Sequence, residues 1–271
     1  MNTFVMGNEA VIRLGFFFGI FLIMALWEVI APRRPLTQPK KTRWFVNIGI
    51  TFLNTGILRL AFSAGAVGAA LIAENRGWGL FHQIGLPVWL EVSASVMLLD
   101  FIIYLQHAAF HFFPLLWRLH LMHHTDLDLD VTSGARFHPL EMLLSMVIKF
   151  GAVFILGTPA LSVLIFEVLL NATSMFNHAN VVIPNSIDRL VRFLIVTPDM
   201  HRVHHSVIIR EHHSNFGFNL SWWDRILGTY RGEPKEGHLG MTLGLANYRR
   251  QNELGILGVL AVPFGKRAAS R

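Results

Sequence analysis

The chain has no cysteine, so disulfides, thiolate-held clusters and a cysteine nucleophile are excluded, and the redox character of its compartment is left unread. It is also poor in charge. Asp, Glu, Lys and Arg make up 15% of its 271 residues, where a soluble domain carries about 25%. Hydrophobic residues reach 53% and the mean hydropathy is +0.47, which points to a bilayer as solvent. The net charge of +6 does not make the chain a nucleic-acid binder, because its Lys and Arg residues are scattered or flank apolar runs, as at membrane edges. One residue type is in excess. There are 14 histidines, most of them clustered.

The apolar runs predict an all-α integral membrane helical bundle of about three full spans plus a short hairpin or re-entrant helix pair. Residues 11–31 are long enough for one crossing. They lack a basic leader and a small-residue cleavage site, and Pro32-Arg33-Arg34-Pro35 follows at once, so they read as a retained span. Arg33, Arg34, Lys40, Lys41 and Arg43 form the strongest basic loop, which puts that side in the cytoplasm. Residues 44–73 exceed one span, so a tilt or a break near Gly65 and Gly68 is needed. Arg59 within that run is read as snorkelling or pairing inside the bundle ahead of a functional buried charge. Residues 74–87 turn at the far interface, and a third span from 88 to about 110 brings the chain back. Residues 140–176, broken by Gly157-Thr158-Pro159, go in and return. This parity puts residues 106–139 and 177–230 on one face, where their histidines can meet. Three segments are expected: N-terminal transmembrane helices (1–94), a histidine-rich domain with a cytoplasmic metal-binding cap (95–232), and a C-terminal tail (233–271).

The histidines fall into groups. His107 and His111 are four apart; His120, His123 and His124 form H-x-x-H-H; His178 stands in Asn177-His178-Ala179-Asn180; His201, His204 and His205 form a second H-x-x-H-H. Random placement of the histidines predicts roughly 0.04 such H-x-x-H-H patterns, so a pair of them is no accident of composition. On a helix, residues three and four apart share a face, whereas adjacent residues diverge by about 100°. His123 and His124 therefore suit two different ions, as do His204 and His205. Imidazole alone leaves zinc, copper, iron and nickel open. Neutral rings leave divalent ions uncompensated, so carboxylates are expected nearby, with Asp100, Asp199 and Glu141 as candidates. Asp126, Asp128 and Asp130 alternate in a polar loop and are expected to form a solvated face. His138 has two readings, a hydrogen bond near the site or local helix-start structure. His212 and His213 are equally open, and the isolated His82 and His238 are treated as background.

With these residues in place, the sequence resembles the fatty acid hydroxylase/sterol desaturase superfamily. The matching text runs from Asp100 and His107-x-x-x-His111 through Leu116-Trp117-Arg118-Leu119-His120-x-x-His123-His124 to Arg136-Phe137-His138-Pro139-Leu140-Glu141. It continues with Phe176-Asn177-His178-x-Asn180, Thr197-Pro198-Asp199-Met200-His201-Arg202-Val203-His204-His205-Ser206, and Asn215-Phe216-Gly217 leading to Trp223-Asp224-Arg225-Ile226-Leu227-Gly228-Thr229-Tyr230. The resemblance covers roughly residues 95–232. It implies a non-haem di-iron centre, several membrane helices and oxygen-dependent C–H oxidation of a lipid such as a fatty acyl chain, sterol or isoprenoid. Carried over, the ligands are His107, His111, His120, His123, His124, His178, His201, His204 and His205; Asp100, His138, Glu141, Asn180 and Asp199 stay open as residues that could support them. One departure is His212-His213-Ser214, where relatives often carry an acidic or polar residue; an extra ligand there stays open. The resemblance does not reach the first 90 residues, so substrate identity does not carry over.

The reaction needs electrons that this sequence does not supply: it shows no dinucleotide fingerprint, no cysteine-held iron–sulfur site and no fused cytochrome. A separate ferredoxin, or a b-type cytochrome with its reductase, is the expected partner. Among rival functions, a histidine-rich metal transporter or store predicts ligands along a mid-membrane pathway, whereas these boxes lie at the edges of the apolar runs. A bis-histidine haem protein needs one histidine pair and leaves the others unexplained. Hydroxylation, desaturation and ether cleavage are not separated by the sequence.

Overall fold

A computed structural model describes residues 2–250 and 253–265. Those residues form helices, loops and three isolated bridges, with no strand among them. The main helices are α1 (Glu9–Ile30), α2 (Lys40–Ala61), α3 (Ala66–Arg76), α4 (Val88–Phe112), α5 (Pro114–His124), α6 (Pro139–Leu156), α7 (Ala160–His178) and α8 (Pro198–His204). Five helical stretches are long and apolar enough to cross a membrane: α1, Lys40–Ile84, α4, α6 and α7. The second is composite. α2 stops at Ala61 and α3 restarts after Gly65, which is the break that the excess length of this run required. Arg59 is exposed near the end of α2, as a snorkelling cation would be.

α1 lies on the outside. Val11, Leu14, Phe18, Leu22, Leu26 and Val29 are exposed along it, while Met24 and Glu28 are its buried residues. An all-round apolar helix with so little buried surface is solvated by lipid. The small residues of α3 allow a close inner packing instead: Ala66, Val67, Ala69 and Ala70 join Leu99, Ile103, Val153, Val163 and Phe166 in the largest core cluster. At the end remote from the histidines, the backbone of Gly79 touches that of Gly157. A Cβ on Gly79 would lie 2.1 Å from the Gly157 nitrogen, and both residues have positive φ. This contact, with the Leu80 amide donating to the Ile155 carbonyl at 3.0 Å, ties the turn after α3 to the tip of the α6–α7 hairpin. The α6–α7 pair, 18 and 19 residues long, returns the chain to the end where α4 finishes.

At that end, one sequence expectation is corrected. Asp126, Asp128 and Asp130 do not form a solvated face; all three are buried. Arg43 of α2 donates to Asp126 through Nε at 2.8 Å and Nη2 at 2.9 Å, and to Asp130 through Nη1 at 2.6 Å. Asp128 accepts from the Thr37 and Gln38 amides at 2.8 Å each. The guanidinium lies 83 residues before Asp126 in sequence, so the local alternation of polar residues could not reveal it. Burial would push the Asp126 carboxyl up, but Arg43 holds it well below the usual carboxylate range. The chain's C-terminal part also packs inward. Val259 joins Val46, Ile50 and Met122, while Val262 joins Trp117 and Leu121. Residues 266–271 of the expected tail lie outside the described residues.

Candidate metal centre

Each histidine group is delivered by a helix end. His107 and His111 occupy the last turns of α4. Phe113 is extended and Pro114 opens α5, which carries His120, His123 and His124 back past them. His178 is the last residue of α7. Thr197 caps α8 through its side chain and Pro198 starts it, setting His201 and His204 on the helix and His205 just beyond. All nine are buried.

They form two groups. The ligand-capable nitrogens of His107, His111, His120, His124 and His204 lie within 4.8 Å of one another, and so do those of His123, His178, His201 and His205. The adjacent pairs His123-His124 and His204-His205 are thus split between the groups. The groups abut, with the His124 and His205 rings stacked at 4.6 Å.

Hydrogen bonds on the outer ring nitrogens decide which atoms face inward. His107 Nδ1 meets the Phe216 carbonyl at 2.8 Å, His178 Nδ1 the Ser174 carbonyl at 2.8 Å, and His204 Nδ1 the Ser214 carbonyl at 2.7 Å. His120 Nδ1 meets the Glu141 carboxylate at 2.7 Å. A carbonyl or carboxylate can only accept, so each of these four Nδ1 atoms carries a proton, which leaves Nε2 as the nitrogen turned into the group. His107 Nε2 and His120 Nε2 lie only 3.2 Å apart. His204 Nε2 is buried with no hydrogen-bond partner among the described residues. Burial, reinforced by neighbouring imidazoles, holds His123, His124, His201, His204 and His205 well below their ordinary pKa, hence neutral. Converging neutral lone pairs in a dry site repel one another without a cation and bind one strongly with it. The donor set fits metal ions.

The other sequence candidates have varied places. Glu141 touches a histidine of the centre directly. Asp100 touches none: it accepts from the Leu220 amide at 3.1 Å and from Trp223 Nε1 at 2.8 Å, holding the loop that presents Phe216. His138 caps α6, its Nδ1 accepting from the Leu140 amide at 3.2 Å. Asn180 exchanges hydrogen bonds with the Arg34 backbone, and Asp199 pairs with Arg33 and Arg202. His212 stacks on Trp117 at 5.3 Å, with its ring 5.9 Å from that of His111, and His213 lies 5.6 Å from His111; neither belongs to the two groups. His238 is not isolated, since it lies buried 3.6 Å from Asp199. The residues that sequence reasoning missed are mostly backbone carbonyls, at Ser174, Ser214 and Phe216, which leave no side-chain signature. Asp224 has no histidine beside it in sequence to mark it. It accepts from the Phe216 amide at 2.7 Å and the Gly217 amide at 2.9 Å, so it fixes the carbonyl that fixes His107. Asn215, at a positive φ of 55°, makes the tight bend that aims the Ser214 and Phe216 carbonyls at two histidines.

The chain is similar in sequence to known enzymes. Ornithine lipid hydroxylase of Rhizobium tropici is 27% identical to the chain over 252 residues, covering 90% of the chain and 73% of that protein. Alkylglycerol monooxygenase of Xenopus tropicalis is 25% identical over 228 residues, 82% of the chain but 48% of that protein, so the chain spans about half its length. No solved structure matches significantly. The sequence profile of the fatty acid hydroxylases matches residues 92–229, just over half of the chain and all the histidines of both groups. The chain belongs to the fatty acid hydroxylase family.

Proposed function

We propose that this protein is a multi-pass membrane oxygenase that holds two iron ions in its histidine groups and hydroxylates a lipid. Membership of the family makes it an oxidoreductase. The observation that carries the binuclear reading is the division of nine buried histidines into groups of five and four, each large enough to ligate an ion. Iron in both groups would supply the dioxygen chemistry needed to break an unactivated C–H bond.

The chain's own residues do the rest. Glu141 and the Ser174, Ser214 and Phe216 carbonyls keep four imidazoles in the Nδ1–H tautomer, with the Nε2 atom free to ligate. Phe110, Phe137, Phe216 and Phe218 pack against the rings and exclude water, which keeps the reacting carbon away from a competing solvent. The centre sits where α4 and α7 end, at the edge of the spans, so a chain standing in the bilayer reaches it end-on or from the side. The basic loop from Arg33 to Arg43 is on that same end, which supports a cytoplasmic location for the centre. Electrons come from a separate ferredoxin or b-type cytochrome system docking there. Ether-lipid oxidation is the second reading, favoured by the similarity to alkylglycerol monooxygenase.

The test is oxygen uptake by the purified, iron-loaded chain with a reductant and mixed lipid extract, with products found by untargeted lipid analysis. A product heavier by one oxygen atom supports hydroxylation, and an aldehyde with a free alcohol supports ether cleavage. No oxygen uptake and no changed lipid would refute both.

A further inference from the structure

Beside the group of four, one buried cation lacks half of its partners. Arg202 follows His201 on α8, and its side chain is 1% exposed. Nη1 donates to Asp199, but Nε and Nη2 have no partner among the described residues. Those two atoms form the parallel N–H edge that matches two oxygens of a carboxylate or phosphate. Leaving such an edge dry is expensive.

Further cations surround it. Arg33 Nε lies 3.0 and 3.1 Å from the two oxygens of Asp199. Arg34 donates through Nη1 to the His238 carbonyl at 3.3 Å and through Nη2 to the Met241 carbonyl at 3.0 Å, while its buried Nε has no partner among the described residues. His238 lies on the same side, with Nε2 3.6 Å from Asp199. Arg33 and Arg202 therefore share the one buried carboxylate of Asp199, and Arg34, whose nearest anionic influence is Asp128, stands close enough to Arg202 to repel it. Glu233, 3.0 Å from His238, is 69% exposed and offsets little of that excess. The cluster stands at the membrane edge: Arg33 and Arg34 follow the end of α1, and the Pro32–Val181 bridge with Asn180 pins them beside the end of α7.

We propose that Arg202, Arg34 and Arg33 form an oxyanion-binding site, which takes a phosphate or carboxylate group at the membrane edge next to the histidine centre. Two sources share this chemistry, a lipid headgroup and a free anion. The site rests on unmet donors and surplus positive charge, and it stands whether or not the protein hydroxylates a lipid.

The experiment measures the melting temperature of the full chain in maltoside micelles, which contain no phosphate. One arm adds inorganic phosphate against chloride of equal ionic strength. The other adds phosphatidic acid against diacylglycerol, its phosphate-free counterpart. Wild type should gain about 3 °C or more in at least one arm. A gain with inorganic phosphate assigns a free anion, and a gain with phosphatidic acid alone assigns a headgroup. Arg34→Gln and Arg202→Gln should abolish the gain; Arg34 lies outside the histidine centre, so its variant carries the test even if Arg202→Gln fails to fold. No gain in either arm, or a gain that survives in Arg34→Gln, overturns the proposal and leaves the cluster filled by water.

Discussion

His120 is gripped at its outer nitrogen by a carboxylate. Its hydrogen bond to Glu141 at 2.7 Å is, among the described residues, the one direct link between a carboxylate and a histidine of either group. Glu141→Ala should weaken metal binding about 10- to 100-fold, because the imidazole loses its orientation and its basicity while the other eight histidines stay in place. Metal titration of the stripped protein checks this, and an unchanged affinity would remove Glu141 from the account. Asp224 gives a second residue-level prediction. Burial pushes its carboxyl up to about 6, against the opposing pull of hydrogen bonds from Thr229, Gly217 and Phe216. A folded value above the unfolded one means that the stability Asp224 contributes is complete below the unfolded pKa and is lost as pH rises through about 6. Between about pH 4 and 7, the melting temperature of the metal-free wild type should therefore fall relative to that of Asp224→Asn. Parallel pH profiles for the two proteins would contradict this. The sequence offered Glu141 as a candidate because it lies three residues after His138, and the structure sets its carboxylate against His120. The sequence could not show that Asp100 and Asp224 act one step further out, on the loop whose carbonyls grip the rings.

At the scale of elements, the α2–α5 region is held by charge rather than by apolar packing alone. Arg43 is 6% exposed and bound to Asp126, Asp130 and Ser133. Arg43→Met should cost about 3–5 kcal/mol, the penalty for leaving buried carboxylates without their cation. It should also loosen α5, which ends two residues before Asp126. Urea or thermal unfolding in detergent measures the loss, and a change below about 1 kcal/mol would show the network to be dispensable. Hydrophobic runs made the spans legible, and glycine with proline made the breaks legible, at Gly65 and at Gly157-Thr158-Pro159. The Arg43 network was illegible because its partners are far apart in sequence and its acidic loop has the composition of an exposed one. The same holds for Gly79, whose approach to Gly157 depends on how two distant turns meet. Gly79→Ala would drive a methyl group into the Gly157 backbone and strain a positive φ, so it should lower the melting temperature far more than Gly56→Ala, at a site with open space.

For the whole molecule, the account joins two claims: a bundle that puts every histidine box at one end, and a centre there that holds two ions. The absence of cysteine makes the first testable by single-cysteine labelling in sealed vesicles. Lys41→Cys should react with an impermeant thiol reagent from the cytoplasmic side, and Arg76→Cys from the opposite side; labelling of both from one side would contradict the topology. The histidine spacing predicts two ions, and the structure puts His123 and His124, like His204 and His205, in different histidine groups. The most direct measurement is the iron content of the anaerobically reconstituted chain, beside His120→Ala from the group of five and His205→Ala from the group of four. The account predicts about two irons per chain in wild type and a lowered content in each variant. Fewer than about one and a half irons per chain, with both variants unchanged, would contradict it.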